Sequence, residues 1–216
     1  MKQELFNEYF LDVTRWVKKS RELMIAANYL IGISNGLFNT GNDVINNYSK
    51  LQYHPFEAWA SVSSAASLLL GLALENLVKS HLIEKEKIYI DKNNKVKGLH
   101  GGHDLLKMLN DSDYSLNENE QENIKLLTFQ LQSLSKYHLA KNPTKQAEFT
   151  GRTTNPVTIY NLVMKIAHEL LSENNRKLFL NSDDSYDHIP LKPNFTEIPT
   201  KEILKIVDAL RKNGHL

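Results

Sequence analysis

The sequence predicts an all-α fold: an antiparallel up-and-down helical bundle of about five main helices with a short C-terminal helix on an extended arm. Apolar residues recur at three- and four-residue spacing in five long segments, the stripe of a helix buried on one face. Proline, glycine and asparagine punctuate the joins, and alternating strand patterns are nearly absent. Long helices with short connections pair their stripes in one shared core, so residues 1–180 read as the bundle and 181–216 as the arm and short helix.

Leu5, Tyr9, Val13 and Trp16, with Phe6, Phe10 and Val17 beside them, place a first helix over roughly residues 2–18. Leu23, Ala27, Leu30, Ile31, Ser34 and Phe38 form a second stripe, weakened by Gly32, Gly36 and Gly41. His54-Pro55 stops the chain and restarts it, because the residue before proline leaves helical geometry while proline suits a first helical position. The central helix then runs from Phe56 to about Lys87 on Trp59, Val62, Ala66, Leu69, Leu70, Ala73 and Leu77. Its Ser61–Ser67 stretch is rich in serine and alanine, small enough for a neighbouring helix or a second subunit to approach closely.

Residues 88–96 read equally as a small hairpin or an irregular loop. Gly98, Gly101 and Gly102 lead into a short helix opening at His103-Asp104-Leu105-Leu106 and ending before Asp111-Ser112-Asp113. Ser115 and Glu118 have capping-box spacing and start a helix to about Leu139, with Ile124, Leu127, Leu131 and Leu134 inward. Asn155-Pro156 caps and opens the fifth helix, which carries Val157, Tyr160, Val163, Met164, Ala167, Leu170 and Leu171 and ends near Arg176. Pro190, Pro193 and Pro199 mark the arm, and Thr200 caps the last helix.

With 26 basic and 25 acidic residues the formal charge is +1, so a nucleic acid would be met by a local patch and not by bulk charge. The absence of cysteine removes disulfides, thiolate metal sites and cysteine nucleophiles. Met1–Tyr9 lacks the apolar segment of a secretory signal, and the apolar run Leu68–Leu74 is far short of the roughly 20 residues that cross a bilayer. The expectation is a soluble cytoplasmic protein without a membrane partner.

Three groups of residues could carry chemistry. Glu75 and Lys79 lie four apart on one face of the most apolar helix; exposed, the pair is an ordinary surface bridge, and buried it contributes to a polar centre. His100, His103 and Asp104 flank Gly101-Gly102 and are the weak candidates for zinc or manganese. The other histidines for such a site, His81, His138 and His168, sit on helices whose facing the sequence leaves open, and Asp104 is more simply a helix cap. The predicted site therefore holds no metal and no cofactor. Lys136, Tyr137, His138, Lys141 and Arg152 form a basic and aromatic cluster suited to phosphates and a stacked base.

The run from Ala73 through Glu75 to Lys79, followed after a loop by Gly102-His103-Asp104-Leu105 and Leu109, resembles the HEPN superfamily over about residues 14–143. The resemblance implies an antiparallel bundle that dimerises, RNA or a nucleotide as partner, a possible partner protein, and a place in toxin–antitoxin or abortive-infection defence. Nuclease members carry Arg, four to six residues, then His. Arg15, Arg21, Arg152 and Arg176 have no histidine at that distance, and Arg211 precedes His215 by only three intervening residues. Where the motif belongs, this chain has Lys136-Tyr137-His138-Leu139-Ala140-Lys141, and lysine lacks the planar fork that grips a phosphate. His138 with Lys136 is then the best set for metal-independent cleavage, with Glu75, Lys79, His103 and Asp104 as the polar centre. Two other readings are a noncatalytic dimeric interaction module built on Ser61–Ser67 and a metal-dependent hydrolase built on His100, His103 and Asp104.

Overall fold

A computed structural model describes residues 2–44, 55–99, 103–134 and 154–180. These form seven helices and one two-stranded ribbon: α1 (Lys2–Leu11), α2 (Val13–Val44), α3 (Pro55–Glu84), β1 (Tyr89–Ile90), β2 (Val96–Lys97), α4 (Leu105–Asp111), α5 (Glu118–Leu134), α6 (Pro156–Leu170) and α7 (Glu173–Leu180). The protein is an all-α bundle. The arm and final helix expected over 181–216 lie outside the described residues.

Contacts between side chains fix the helix directions. Lys79 stands over Trp16, Ser20 bonds the carbonyl of Ala73, Ser34 bonds Ser63, and Phe38 packs on Trp59. Rising numbers on α2 thus meet falling numbers on α3, and the two are antiparallel. Thr154 meets Ser67 while Leu170 meets His81, so α6 runs parallel to α3. Gln130 meets Thr154 and Glu120 meets Lys165, which sets α5 against α6. The long helices α2, α3, α5 and α6 therefore alternate up and down around one core.

That core is the predicted one at most positions. Ala66, Leu70, Ala73, Leu77, Ile124, Leu127, Leu131, Tyr160 and Val163 are fully buried. α5 comes close to α3 at Gly71, where an added Cβ would stand 3.0 Å from Leu131. The small residues of the central helix serve the same end: Ser63, Ala66 and Ser67 face the chain's own core, whereas Ser61 and Ala65 are exposed.

Helix boundaries differ from expectation in three places. The first break falls at Asp12, not near residue 18, because Asp12 Oδ1 accepts from Thr14 N–H at 3.0 Å and Oδ2 from Arg15 Nε at 2.9 Å, capping α2. α2 then continues unbroken through its glycines. Leu5, Phe6 and Tyr9, expected inward, are consequently exposed on α1, and Phe38 is exposed at the far end of α2. The capping box is formed by Asn117 and Glu120, each side chain accepting from the other's backbone N–H, two residues beyond Ser115 and Glu118. The fifth helix stops at Leu170, because Leu171 is extended (ψ 137°), and α7 begins afresh at Glu173.

The apolar-run criterion also understates α3. Trp59–Glu84 is long and apolar enough to cross a bilayer by length and composition, and 56% of its apolar window is buried inside the bundle. Burial on several sides is the physical account of that composition.

Between α3 and α4 the chain forms the hairpin alternative, with Tyr89 paired to Lys97 and Ile90 to Val96. Asp91 Oδ1 accepts from Asn93 and Lys95 N–H at 2.9 Å, and Asn94 (φ +57°) makes the turn. Gly98 (φ +75°) closes the ribbon against α3's end; a Cβ there would stand 1.8 Å from the Lys87 carbonyl oxygen. We expect Gly98→Ala to cost at least about 2 kcal/mol. Urea unfolding checks this, with Asn94→Gly as the control, expected to fall within about 1 kcal/mol of wild type; equal stability of Gly98→Ala would contradict the crowding.

Candidate functional site

A charged group inside an apolar helix needs a partner, and Glu75 of α3 has two. Glu75 Oε1 accepts from Lys79 Nζ at 2.5 Å, one helical turn on, and Oε2 from His103 Nδ1 at 2.6 Å. The side chains are 8% (Glu75), 14% (Lys79) and 26% (His103) exposed. This is a shielded charge cluster, not the surface bridge that the four-residue spacing also allowed. Trp16 of α2 completes it, with Lys79 Nζ 5.2 Å from the ring centre. The indole is itself held by a 2.7 Å bond from Nε1 to the Phe10 carbonyl at the α1–α2 break.

The local backbone explains how His103 reaches α3. Its φ is +58°, a left-handed conformation that costs a non-glycine residue about 1 kcal/mol or more. The next residue immediately begins a cap: Asp104 Oδ1 accepts from Lys107 N–H at 3.1 Å and opens α4. Asp104 is thus the helix cap of the simpler reading and is not bonded to the Glu75 cluster. Strain at His103 is offset by the short charged contact on one side and the cap on the other.

Electrostatics fix the charge of Glu75. Burial is the largest influence and pushes its pKa up, but the hydrogen bonds and charges of Lys79 and His103 together outweigh it and hold the carboxyl below its ordinary 4.5. Glu75 is ionised at neutral pH. A carboxylate that accepts from Nδ1–H fixes the imidazole's tautomer and leaves Nε2 for a second partner; among the described residues Nε2 makes no hydrogen bond. Such a ring can exchange a proton with, or hydrogen-bond to, an anionic oxygen brought to its partly open edge.

His81 shows the contrasting environment. It is buried, its Nδ1 donates to the Leu170 carbonyl at 2.8 Å, and burial keeps its pKa below the ordinary histidine value despite that bond. It is a satisfied core histidine that ties α3 to the end of α6. His168 is exposed on α6. Among the described residues no group of three or more histidine, aspartate or glutamate side chains is placed to hold a metal ion.

Of the sequence-predicted residues, the structure brings Glu75, Lys79 and His103 together and sets Asp104 beside them in the backbone. His100, Lys136, Tyr137, His138, Lys141 and Arg152 lie outside the described residues. Trp16 was read only as a core residue; its neighbourhood with Lys79 is a contact across 63 positions that no local spacing reveals. Beside it lies an open groove of about 550 Å3 lined by Tyr9, Arg15, Trp16, Lys18, Lys19 and Glu22. The Arg15 guanidinium stacks on Tyr9 at 3.8 Å, and Arg15 and Lys19 form ion pairs with Asp12 and Glu22.

Comparison with protein-family models, curated proteins and solved structures gives no match to this chain. The site therefore has to be argued from its own geometry.

Glu75→Gln keeps the shape but strips the shielded cluster of its negative member. We expect a loss of about 3–5 kcal/mol at neutral pH by urea unfolding. Since the folded-state pKa is depressed, the carboxylate's contribution is present above pH 4.5 and is lost as pH falls through the lower folded value. The stability gap between wild type and Glu75→Gln should shrink in that acid window; a gap independent of pH would show that charge is not its cause.

Proposed function

We propose that this chain is a HEPN-like RNA- or nucleotide-binding protein of a bacterial-type defence or toxin–antitoxin system, working without the standard Arg-x(4–6)-His ribonuclease site. The observation that carries the reading is the Glu75–Lys79–His103 cluster. The two segments on which the resemblance rests, the Glu/Lys helix and the His-Asp-Leu opening of the short helix, meet there through a 2.6 Å bond between residues 28 positions apart. An up-and-down bundle is the architecture that the resemblance implies.

Each part of the site has a role in this reading. Lys136, His138, Lys141 and Arg152 neutralise phosphates, and Tyr137 stacks a base. Glu75 orients His103, whose outer nitrogen meets a phosphate or ribose oxygen. The groove with Arg15, Lys18, Lys19 and two aromatic rings extends the same kind of surface from Trp16 along α2. Lys136 and His138 are the candidate pair for any residual metal-independent cleavage, and a homodimer in the cytoplasm is the proposed working form.

The deciding experiment is a labelled-RNA gel with purified protein, with and without EDTA, scored for mobility shift and cleavage. The expected outcome is an EDTA-resistant shift without efficient cleavage. Lys136→Ala/His138→Ala should weaken the shift by about tenfold or more with little change in melting temperature. Unchanged binding by the folded double variant would remove that cluster from the site, and EDTA-sensitive cleavage would instead favour the histidines at 100 and 103.

A further inference from the structure

The other end of the α2–α3 pair holds a cavity of about 330 Å3 among the described residues, at the lower end of the range for small-molecule pockets. Its walls are Phe38 and Trp59, with ring centres 5.7 Å apart and planes tilted by 51°. Ser34, Asn35, Ser63 and Thr154 are its polar lining beside Asn155. None of its described lining residues is charged.

Polar capacity in this lining is incompletely used. Ser34 and Ser63, both more than nine-tenths buried, share one hydrogen bond of 2.6 Å between their hydroxyls. Two hydroxyls carry two hydrogens, one bond uses one, and neither oxygen has another partner among the described residues. One O–H is left to donate. Thr154 by contrast is committed to Ser67 and Gln130. Asn35 carries a planar amide with both donor and acceptor, and it makes no side-chain bond among the described residues.

We propose that this cavity binds a neutral, flat heteroaromatic ring of nucleobase type, seated against Phe38 and Trp59 with its polar edge on Asn35 and the Ser34–Ser63 pair. Aromatic walls favour a π-faced ligand, and an amide that donates and accepts in one plane matches the paired groups on a base edge. The uncharged lining selects the ring and not a phosphate. Such a ring is supplied either by a free nucleoside or by an unstacked base of a single strand. The site lies at the opposite end of the α2–α3 pair from Glu75, and Asn35→Leu separates binding here from binding at the surface proposed above.

Its test is calorimetric titration of the full chain with adenosine and, separately, with single-stranded oligoadenylate. As a second readout, Trp16→Phe leaves Trp59 as the sole tryptophan, and its emission should change saturably with the same midpoint. Asn35→Leu removes the amide at a half-buried position and should weaken binding by about tenfold or more. Ser63→Leu fills the cavity and should abolish it; where that variant fails to fold by circular dichroism, Asn35→Leu decides. Binding of either probe that weakens in Asn35→Leu supports the proposal, adenosine assigning it to a nucleoside and oligoadenylate alone to a strand. Binding of neither probe, or binding unchanged in Asn35→Leu, overturns it.

Discussion

The structure depends on one constraint: α3 is covered by neighbours on several sides, so every polar group it carries inward must find a partner on another helix or on itself. Ser63 meets Ser34, Ser67 meets Thr154, the Ala73 carbonyl meets Ser20, Glu75 meets His103, and His81 meets the Leu170 carbonyl. Two of these pairs join α3 to α2, two to the ends of α6, and one to the start of α4. Apolar burial supplies most of the driving force for packing, but it is tolerant of small displacements. The polar pairs are not, and they choose one arrangement of the helices.

The fold class and most of the core were legible because the bundle obeys local rules. A stripe such as Ile124, Leu127 and Leu131 has one natural face, and His54-Pro55 and Asn155-Pro156 announce helix starts through backbone chemistry alone. The misread boundaries share a cause. Ser115 with Glu118 and Asn117 with Glu120 have the same spacing, so the choice between them falls to how α5 meets α6, where Glu120 also binds Lys165. Leu5 and Tyr9 repeat like core residues, yet the Asp12 cap turns α1 away from the bundle.

The candidate site was legible in part for the same reason. Glu75 and Lys79 are visible as a pair on one helix, and His103 with Asp104 as polar residues beside glycines. That Glu75 binds His103, and that Asp104 turns back to cap its own helix, follows from the left-handed backbone at His103, which a glycine-flanked histidine permits without announcing. Trp16 was unreadable as a site residue because only the tertiary crossing of α2 and α3 sets it against Lys79. The cavity near Trp59 is likewise a product of helices meeting, assembled from two serines, an asparagine and two rings that look ordinary in sequence.

The polar bonds along the α2–α3 pair also bear on how the molecule can move. Sliding one helix past the other by a turn, about 5.4 Å, would break Ser20 from Ala73 and Ser34 from Ser63 together and would leave buried hydroxyls without partners. Shear along this pair is therefore closed as a mechanical mode, whereas tilting the two helices as one unit leaves every bond between them intact. The pair behaves as a strut, and a displacement imposed at its Trp16 end arrives at its Trp59 end as a rotation and not as a slip.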